Sequence, residues 1–347
     1  MEYLTEKAKR LTPYIAGLQP QEAGWIKLNT NENPYPPSPK VIGALADVNI
    51  ETLKRYPDGN SGELCRAIAE NLGVGKEHVF CGNGSDEVLA LAYQAFFSGK
   101  ETVLTPDISY GFYPIWGDMY DVSAKILPLD NHFAIDADDY RNGNGVMIAN
   151  PNAPTGIALS LAEIESIVWN NQNGVVIVDE AYIDFAKVES AVSLISKYEN
   201  LLVVRTFSKS YSLAGLRVGF AVGNKALIEG LQRVKDAFNS YPLGMLEQTG
   251  AKAAILDTGY WNEQRRRIIA TRDKTAENLR KVGFETLDSH TNFLFMKSQE
   301  AKKLYEHFTE HKILVRYWDK PGINEFLRVT IGTDADMEVF IQCVKRF

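Results

Sequence analysis

Residues 175–182 read Val-Val-Ile-Val-Asp-Glu-Ala-Tyr, and residues 201–209 read Leu-Leu-Val-Val-Arg-Thr-Phe-Ser-Lys. In both stretches four consecutive apolar residues come before polar side chains. A continuous apolar run, in place of alternation with polar residues, is typical of a strand buried on both faces of a parallel sheet. Ligands of such sheets bind beyond the carboxyl ends of the strands, so Asp179 and Lys209 are expected to meet at a binding site.

Similar apolar runs recur at 102–105, 146–149 and 218–222, and helical patterns such as 61–72 and 86–97 lie between them. This alternation predicts an α/β fold whose large domain, residues 41–245, has a mostly parallel central sheet under helices.

The pattern changes after Pro242. A long charged helical region runs over 246–282, and strand candidates follow at 292–296, 313–316 and 326–331. These elements predict a smaller α+β domain at residues 246–347. Residues 1–40 are rich in turn-forming proline and asparagine, so they predict an N-terminal arm that lies across a larger body.

Composition excludes several classes of protein. The 347 residues carry a net charge of −7 and no basic tract, which argues against nucleic acid as a partner. Three widely spaced cysteines without a C-x-x-C motif exclude a disulfide framework and fit a reducing compartment. Because no apolar run approaches 18 residues, we expect a cytoplasmic protein with no membrane partner. His307 and His311 lack the glutamate of a zincin helix, and no metal is predicted.

The segment after the second strand carries the most specific signal. Residues 206–219, Thr-Phe-Ser-Lys-Ser-Tyr-Ser-Leu-Ala-Gly-Leu-Arg-Val-Gly, resemble the lysine segment of pyridoxal-phosphate enzymes of the aspartate aminotransferase fold, also called fold type I. In such enzymes the lysine forms a Schiff base with the cofactor aldehyde. A hydroxyl one residue before it and an arginine eight residues after it reach the cofactor phosphate. Ser208, Lys209 and Arg217 match these offsets.

Two further segments agree with this resemblance. Residues 81–87, Cys-Gly-Asn-Gly-Ser-Asp-Glu, open a predicted helix, where free backbone N–H groups favour a phosphate; Gly84, Ser85 and Asp86 are the candidates. The resemblance also implies that Tyr110 stacks on the pyridine ring of the cofactor.

One position departs from the motif of these enzymes. Residues 150–156 read Asn-Pro-Asn-Ala-Pro-Thr-Gly, with Ala153 where an asparagine usually contacts the cofactor O3′. Two alternatives stay open: Asn152 substitutes for that asparagine, or Tyr182 acts on O3′ with less help.

The remaining roles follow from the chemistry of the cofactor. Pyridoxal phosphate acts as an electron sink only while its ring nitrogen is protonated, and a buried carboxylate such as Asp179 favours that cation. Tyr182 is expected to hydrogen-bond O3′. Lys209, once displaced by the substrate amine, is expected to act as a general base.

Along nearly its whole length the chain is similar to the histidinol-phosphate aminotransferase family. The similarity rests on Leu11-Thr-Pro-Tyr14, on 28–35 with its Asn-Glu-Asn-Pro, on 55–58 and on 327–333. It implies amino transfer between L-histidinol phosphate and 2-oxoglutarate, giving imidazole-acetol phosphate and glutamate. It also implies a homodimer in which Tyr56 reaches the cofactor phosphate of the partner. The implied substrate-binding residues are Tyr14, Asn33, Arg316 and Arg328.

Other functions share parts of this pattern. An aromatic amino-acid aminotransferase would share every cofactor residue, and a threonine-phosphate decarboxylase also handles a phosphorylated substrate. A regulator that binds the cofactor without turnover is disfavoured by the net charge of −7. A nicotinamide enzyme is disfavoured because the loop at 82–87 lacks the third glycine of that fingerprint.

Overall fold

Two main sheets organise the computed structural model, which describes residues 3–99 and 102–347. The strands are β1 (Ile26–Lys27), β2 (Val79–Asn83), β3 (Val103–Pro106), β4 (Ala124–Leu127), β5 (Gly145–Ala149), β6 (Val175–Asp179), β7 (Leu201–Thr206), β8 (Val218–Gly223), β9 (Glu285–Thr286), β10 (Phe293–Lys297), β11 (Ile313–Leu314), β12 (Arg316–Tyr317) and β13 (Phe326–Thr330). The helices are α1 (Glu6–Arg10), α2 (Pro39–Ala46), α3 (Gly62–Leu72), α4 (Gly84–Ala92), α5 (Tyr113–Tyr120), α6 (Leu161–Trp169), α7 (Lys225–Phe238), α8 (Met245–Leu256), α9 (Thr258–Lys281), α10 (Ala301–Glu310) and α11 (Asp334–Val344).

The large sheet has seven strands in the order β2-β8-β7-β6-β5-β3-β4. Strand β8 is antiparallel to both of its neighbours, and the other pairs are parallel. The prediction of an α/β fold with a mostly parallel sheet is confirmed, and the five predicted strands lie within one residue of β3, β5, β6, β7 and β8. Strands β2 and β4 were not predicted, because β2 contains Gly82 and Asn83 and β4 is largely exposed at the sheet edge.

The apolar runs are buried on both faces of this sheet, as their composition predicts. In β6, Val176 and Val178 join one hydrophobic cluster, whereas Ile177 joins the cluster on the opposite face. Each of these three side chains is fully buried. Burial of this kind leaves polar groups tolerable only at the strand ends, which is where Asp179 and Lys209 stand.

A second sheet, β12-β13-β10-β9, is antiparallel and packs against the C-terminal helices. The single helical region predicted at 246–282 is two helices, α8 and α9, with Asp257 between them. Asp257 accepts hydrogen bonds from Ser38 and from Lys40 Nζ, so the break is held by residues near the start of the chain. The strand predicted at 313–316 is likewise two short strands, β11 and β12.

The N-terminal arm pairs and packs with the small domain. Strand β1 pairs in parallel with β11, and Ile26 lies opposite Ile313. Leu28 belongs to the hydrophobic cluster of the small domain. The boundaries at residues 40 and 245 stay a prediction. None of the helices in residues 3–99 and 102–347 combines the length and the apolar character that crossing a bilayer needs.

Candidate active site

A cavity of roughly 270 Å³ lies at the carboxyl ends of β6 and β7. Ser85 and Asp86 of α4, Tyr110, and the β6-end residues Asp179 and Tyr182 line it. Ser208 and Lys209 after β7, and Arg217 before β8, line it as well. The structure therefore brings eight of the predicted cofactor-site residues to one cavity, drawn from five separate stretches of the chain.

Lys209 is held from the N-terminal arm. Its Nζ donates to the carbonyl of Thr30 at 3.3 Å and lies 5.7 Å from the ring centroid of Tyr182. Asn33 Nδ2 donates to the carbonyls of Lys209 at 3.1 Å and of Ser210 at 3.2 Å. Because the side chain of Asn33 is engaged with backbone groups, it positions the lysine loop, and the substrate contact that the family resemblance implied for it gains no support from this geometry.

Asp179, the last residue of β6, is a buried carboxylate. Its Oδ2 accepts a hydrogen bond from Tyr113 at 2.9 Å, and its Oδ1 accepts one from the Ala181 N–H at 3.1 Å. Burial outweighs these bonds and raises the pKa of Asp179 to about 6. A cation placed beside it would restore the charged form, so this group fits the protonated ring nitrogen of pyridoxal phosphate.

The opposite end of the cavity is suited to an anion. Arg217 Nη1 donates to Ser208 Oγ at 3.3 Å, and its Nη2 lies 3.1 Å from Asp86 Oδ2. Gly84, at φ +78°, opens α4 beside this guanidinium, and a Cβ there would approach Arg217 Nη2 to 2.5 Å. The backbone N–H groups at the start of α4, the hydroxyl and the guanidinium together fit a phosphate group. Gly84 leaves room for the guanidinium of Arg217 because it has no Cβ, but it is not among the residues that line the cavity.

Two tyrosines flank the cavity. Tyr110 donates its hydroxyl to Asp86 Oδ1 at 2.9 Å, and burial raises the pKa of this phenol above its ordinary value. Tyr182 accepts a hydrogen bond from Asn31 Nδ2 at 2.8 Å and packs edge-on against Phe293. Both tyrosines thus line the cavity, with the hydroxyl of Tyr110 held by Asp86 and that of Tyr182 held by Asn31.

Asn152 does not take the place of the missing asparagine in the structure. Its Nδ2 donates to the Ile108 carbonyl at 2.9 Å and to Thr155 Oγ1 at 3.2 Å, and its Oδ1 accepts from Ser109. Both amide hydrogens are thus used inside the protein, and it is Ala153 that lines the cavity. The geometry favours the other alternative, in which Tyr182 lacks an amide partner from this turn.

A smaller adjoining cavity of roughly 150 Å³ is lined by Tyr14, Tyr110, Trp318 and Arg328. Tyr14 stacks on Phe112 with ring centroids 4.4 Å apart. The two cavities share Tyr110 and Ala153 in their walls, so they are neighbours.

Arg328 lines this second cavity and is half-buried. Its Nη2 donates to the carbonyl of Asn29 at 2.7 Å, whereas its buried Nε has no hydrogen-bond partner. Burial lowers the pKa of Arg328. Arg316 lies directly opposite on the neighbouring strand, and both guanidiniums lie over Trp318, at 5.4 and 5.3 Å. Neither guanidinium is paired with a carboxylate of the described residues. Only Arg328 lines the cavity, however, and Arg316 Nη2 donates to the Ile15 carbonyl at 2.8 Å. An unpaired cation such as Arg328 is suited to an anion.

Tyr56 lies away from both cavities. Its side chain is 79% exposed and stacks on Tyr241 with ring centroids 4.6 Å apart. Within one chain it therefore does not contact the candidate site.

The structure adds residues that the sequence did not indicate. Thr30 and Glu32 line the main cavity, Asn31 holds Tyr182, and Trp318 holds both arginines. Asn31 and Glu32 belong to the Asn-Glu-Asn-Pro segment, which was interpreted through Asn33, and Trp318 had no local signal in the sequence.

His307 and His311 lie near Cys343, with possible ligand atoms within 4.8 Å of one another. Each imidazole contacts a backbone carbonyl: His307 Nε2 that of Cys343 at 3.2 Å, and His311 Nδ1 that of His307 at 2.8 Å. The absence of a metal site stays a prediction.

Comparisons with known proteins place this site in a family. The family model "Aminotransferase class I and II" matches residues 23–344. The histidinol-phosphate aminotransferase of Brachyspira hyodysenteriae is 46% identical over 346 residues, which cover 99% of this chain and 98% of that protein. The histidinol-phosphate aminotransferase of Clostridium acetobutylicum is 47% identical over 347 residues, with the same coverage.

A solved structure shares the fold. The histidinol-phosphate aminotransferase of Sinorhizobium meliloti, in complex with pyridoxal-5′-phosphate, superimposes with a TM-score of 0.89 at 20% identity and covers 100% of this chain and 97% of that one. At this identity the match supports the aspartate aminotransferase-like architecture. Together with the near-full-length relatives, it leads to one conclusion: the chain belongs to the aminotransferase class I and II family, among the histidinol-phosphate aminotransferases.

Proposed function

We propose that this protein is a pyridoxal-phosphate-dependent enzyme of histidine biosynthesis. It transfers an amino group between L-histidinol phosphate and 2-oxoglutarate, giving imidazole-acetol phosphate and L-glutamate. The observation that carries the proposal is the identity of 46–47% to histidinol-phosphate aminotransferases over 99% of the chain. The arrangement of charged groups around the two adjoining cavities supports it independently.

The main cavity suits the cofactor. The N-terminus of α4 with Ser85, Ser208 and Arg217 would hold its phosphate, and Asp179 would pair with its ring nitrogen. Tyr110 would cover the ring, and Tyr182 would donate to O3′. When bound, pyridoxal phosphate serves as an electron sink for the carbanion formed at the substrate Cα.

Lys209 supplies the proton transfer. Its Nζ stands between Tyr182 and the Thr30 carbonyl, so it is held in place before any ligand binds. As a general base it would take the proton from the substrate Cα and would return it on the cofactor side of the reacting bond. The Thr30 carbonyl and the Tyr182 ring orient the amine, and neither carries a charge that would form an ion pair with it. Once the amine is deprotonated, its lone pair is therefore free to accept a proton.

The second cavity suits the substrate anion. L-histidinol phosphate carries a phosphate ester where an amino acid has a carboxylate, and 2-oxoglutarate carries carboxylates. Arg328, with its unpartnered buried Nε, would bind either anion, and Arg316 would add the second charge that a phosphate dianion requires. Tyr14, stacked on Phe112, would close the cavity over the imidazole.

We further propose a homodimer. Tyr56 is 79% exposed, and so are the nearby apolar side chains Ile50 at 77% and Leu53 at 49%. Such a patch fits a second copy of the chain, and Tyr56 would then reach the cofactor phosphate of the partner. The three cysteines are free thiols, which supports a cytoplasmic location.

A visible absorbance titration tests the function. The protein saturated with pyridoxal phosphate should lose its visible band on addition of L-histidinol phosphate and recover it on addition of 2-oxoglutarate. Phenylalanine, added to a parallel sample, should act only at much higher concentration.

Other results would reassign the enzyme. A response to phenylalanine alone would indicate an aromatic amino-acid aminotransferase. Release of carbon dioxide from threonine phosphate would indicate a decarboxylase. The absence of any visible band after addition of the cofactor would contradict the proposal.

A further inference from the structure

Asn31 is a buried residue in an unusual backbone conformation. Its φ is +58°, in the left-handed region that asparagine tolerates better than most residues, and its side chain is 1% exposed. A conformation of this kind persists where surrounding contacts hold it. The position of Asn31 is therefore imposed by the residues that contact it.

Those partners lie in the small domain. The backbone N–H of Asn31 donates to Thr330 Oγ1 at 3.0 Å, and the same hydroxyl donates to Asn31 Oδ1 at 3.0 Å. Asn292 Nδ2 donates to the Asn31 carbonyl at 3.0 Å. Thr330 ends β13, two residues after Arg328, and Asn292 immediately precedes β10. Asn31 is thus fixed to the strands that carry the substrate-side arginine.

The remaining group of Asn31 points to the cofactor side. Its Nδ2 donates to the hydroxyl oxygen of Tyr182 at 2.8 Å. A phenol has one proton to give, so a hydroxyl that accepts from an amide keeps that proton for another acceptor. Because Oδ1 of Asn31 already accepts from Thr330, the orientation of the amide is set, and with it the direction of the bond to Tyr182.

We propose that Asn31 is a positioning residue that fixes Tyr182 as a hydrogen-bond donor to O3′ of the cofactor and so compensates for Ala153. The inference rests on the proposed function, since it concerns the same cofactor. It goes further in giving the N-terminal arm and the small domain a role in tuning the cofactor. Donation to O3′ withdraws negative charge from that oxygen, which makes the cofactor-bound nitrogen of Lys209 less basic.

The variant Asn31→Asp tests the direction of the hydrogen bond between residue 31 and Tyr182. Aspartate has the same shape and also tolerates the left-handed region, but as a carboxylate it cannot donate, so Tyr182 would give its proton to residue 31. The readout is the pH midpoint of the visible band of the holoenzyme without substrate. We expect the midpoint to rise by about one pH unit, roughly a tenfold change in the protonation equilibrium.

A second variant separates the hydrogen bond from folding. Asn31→Gly suits φ +58° without strain and removes the donor without adding a charge. It should move the midpoint in the same direction by less, and its cofactor-free form should unfold cooperatively. If Asn31→Asp does not fold, the midpoint of Asn31→Gly alone tests the inference: a raised midpoint supports it, and an unchanged midpoint contradicts it.

The controls exclude a charge effect or a general loss of packing. In a Tyr182→Phe background, Asn31→Asp should no longer move the midpoint, because the bond that transmits its effect is gone. Asn171→Asp alters an equally buried asparagine far from the cavity, bonded to the carbonyls of Tyr140 and Ile167, and should leave the midpoint unchanged.

Three results would overturn the inference. An unchanged midpoint in both Asn31 variants would show that Tyr182 orients itself. A shift that persists in the Tyr182→Phe background would show that charge, and not the hydrogen bond, is responsible. If the wild-type protein shows no visible band at all, the proposed function fails, and this inference with it; a normal wild-type band with an unchanged midpoint in the variants removes only the inference.

Discussion

The two sides of the candidate site are built in different ways. On the large-domain side, Asp179 ends one buried strand and Lys209 comes three residues after the end of its neighbour, so strand position brings both to the cavity, although the arm also holds the Lys209 side chain. On the other side, Arg328, Arg316 and Asn31 are brought together by pairings between segments that are remote in sequence. The first side is fixed by local chain geometry, the second by the docking of the arm and the small domain.

This difference suggests a division of labour. The large-domain side holds the groups that act on the cofactor and on the proton, so its variants should mainly change kcat and the spectrum. On the arm and small-domain side, Arg328 and Arg316 are the cations proposed to bind the substrate anion, so variants of these two arginines should mainly change KM, whereas Asn31 is the exception that acts on the cofactor. Variants on the two sides are therefore expected to differ both in which kinetic constant changes and in how much it changes.

Lys209→Ala should have the largest effect. Without this amine no group of the cavity described here moves the proton from the substrate Cα, and kcat should fall by about 10⁴-fold or more. The measurement is a coupled assay for glutamate formation. Lys225→Ala, an exposed lysine of α7, is the control and should retain full activity. Normal turnover by Lys209→Ala would remove the central residue from the mechanism.

Arg328→Ala should have the second largest effect, and it should change KM more than kcat. If Arg328 binds the substrate anion as proposed, loss of its half-buried guanidinium should lower kcat/KM by roughly 10²- to 10³-fold, the size expected for one side of a charge-assisted contact. Arg316→Ala should cost about tenfold, and more for L-histidinol phosphate than for glutamate, because the dianion needs the second charge.

The assay for these arginines compares both substrates under steady-state conditions. Arg280→Ala, an exposed arginine at the end of α9, provides the control. A loss confined to kcat with KM unchanged would indicate that the small-domain side acts on the chemistry, and the proposed division between the two sides would not hold.

The same comparison explains what the sequence could predict. The apolar runs and the polar residues directly after them are local signals, so the strands β6 and β7 and the positions of Asp179, Tyr182, Ser208 and Lys209 at one cavity followed from the residues and the family resemblance. The helical region predicted at 246–282 is helical, but its division into α8 and α9 was not predicted, because the break at Asp257 depends on Ser38 and Lys40, which are distant in sequence.

Residues of the arm were predicted less well for the same reason. Asn31 and Asn33 lie two residues apart in an Asn-Glu-Asn-Pro segment, and nothing local distinguishes the one that bonds Tyr182 from the one that bonds the lysine loop. Trp318 gave no local signal either, because its relevance comes from the pairing of Arg316 with Arg328 across two strands. Long-range contacts, and not propensities, decide such roles.

Asp179→Asn should alter the pH dependence of stability in the cofactor-free protein. Burial raises the pKa of this carboxyl from 3.8 to about 6. Between about pH 4 and pH 6 the folded chain thus keeps a proton that the unfolded chain releases, and the free energy of unfolding falls as pH rises, by up to about 3 kcal/mol. Asparagine does not ionise, so the variant should be the more stable protein above about pH 6 and similar to wild type near pH 4.

Urea unfolding at a series of pH values measures this difference. Glu180, whose pKa burial raises to about 7, contributes a slope of the same sign in both proteins and cancels in the comparison. With cofactor bound, the ring cation should hold Asp179 in its charged form, and the variant should lose its advantage together with most of its turnover. Parallel pH profiles for the two cofactor-free proteins would contradict the burial argument.

Tyr56→Phe should have the smallest effect, and it tests whether the site is complete within one chain. The ring and its stacking on Tyr241 remain, so the variant removes only the hydroxyl that is proposed to contact the partner's cofactor phosphate. The dissociation constant for pyridoxal phosphate should rise by roughly tenfold, the size of one hydrogen bond to a charged group. Fluorescence titration of the cofactor-free protein measures it, with Tyr241→Phe as the matched control.

Mixing subunits then decides which chain supplies the tyrosine. A hybrid of a Tyr56→Phe subunit and a Lys209→Ala subunit contains one site with the lysine of the first chain and the tyrosine of the second. If Tyr56 acts across the interface, that site is native, and half of the sites in the hybrid should bind the cofactor with wild-type affinity and turn over normally. If Tyr56 acts within its own chain, every site in the hybrid lacks either the lysine or the tyrosine, and no native site appears.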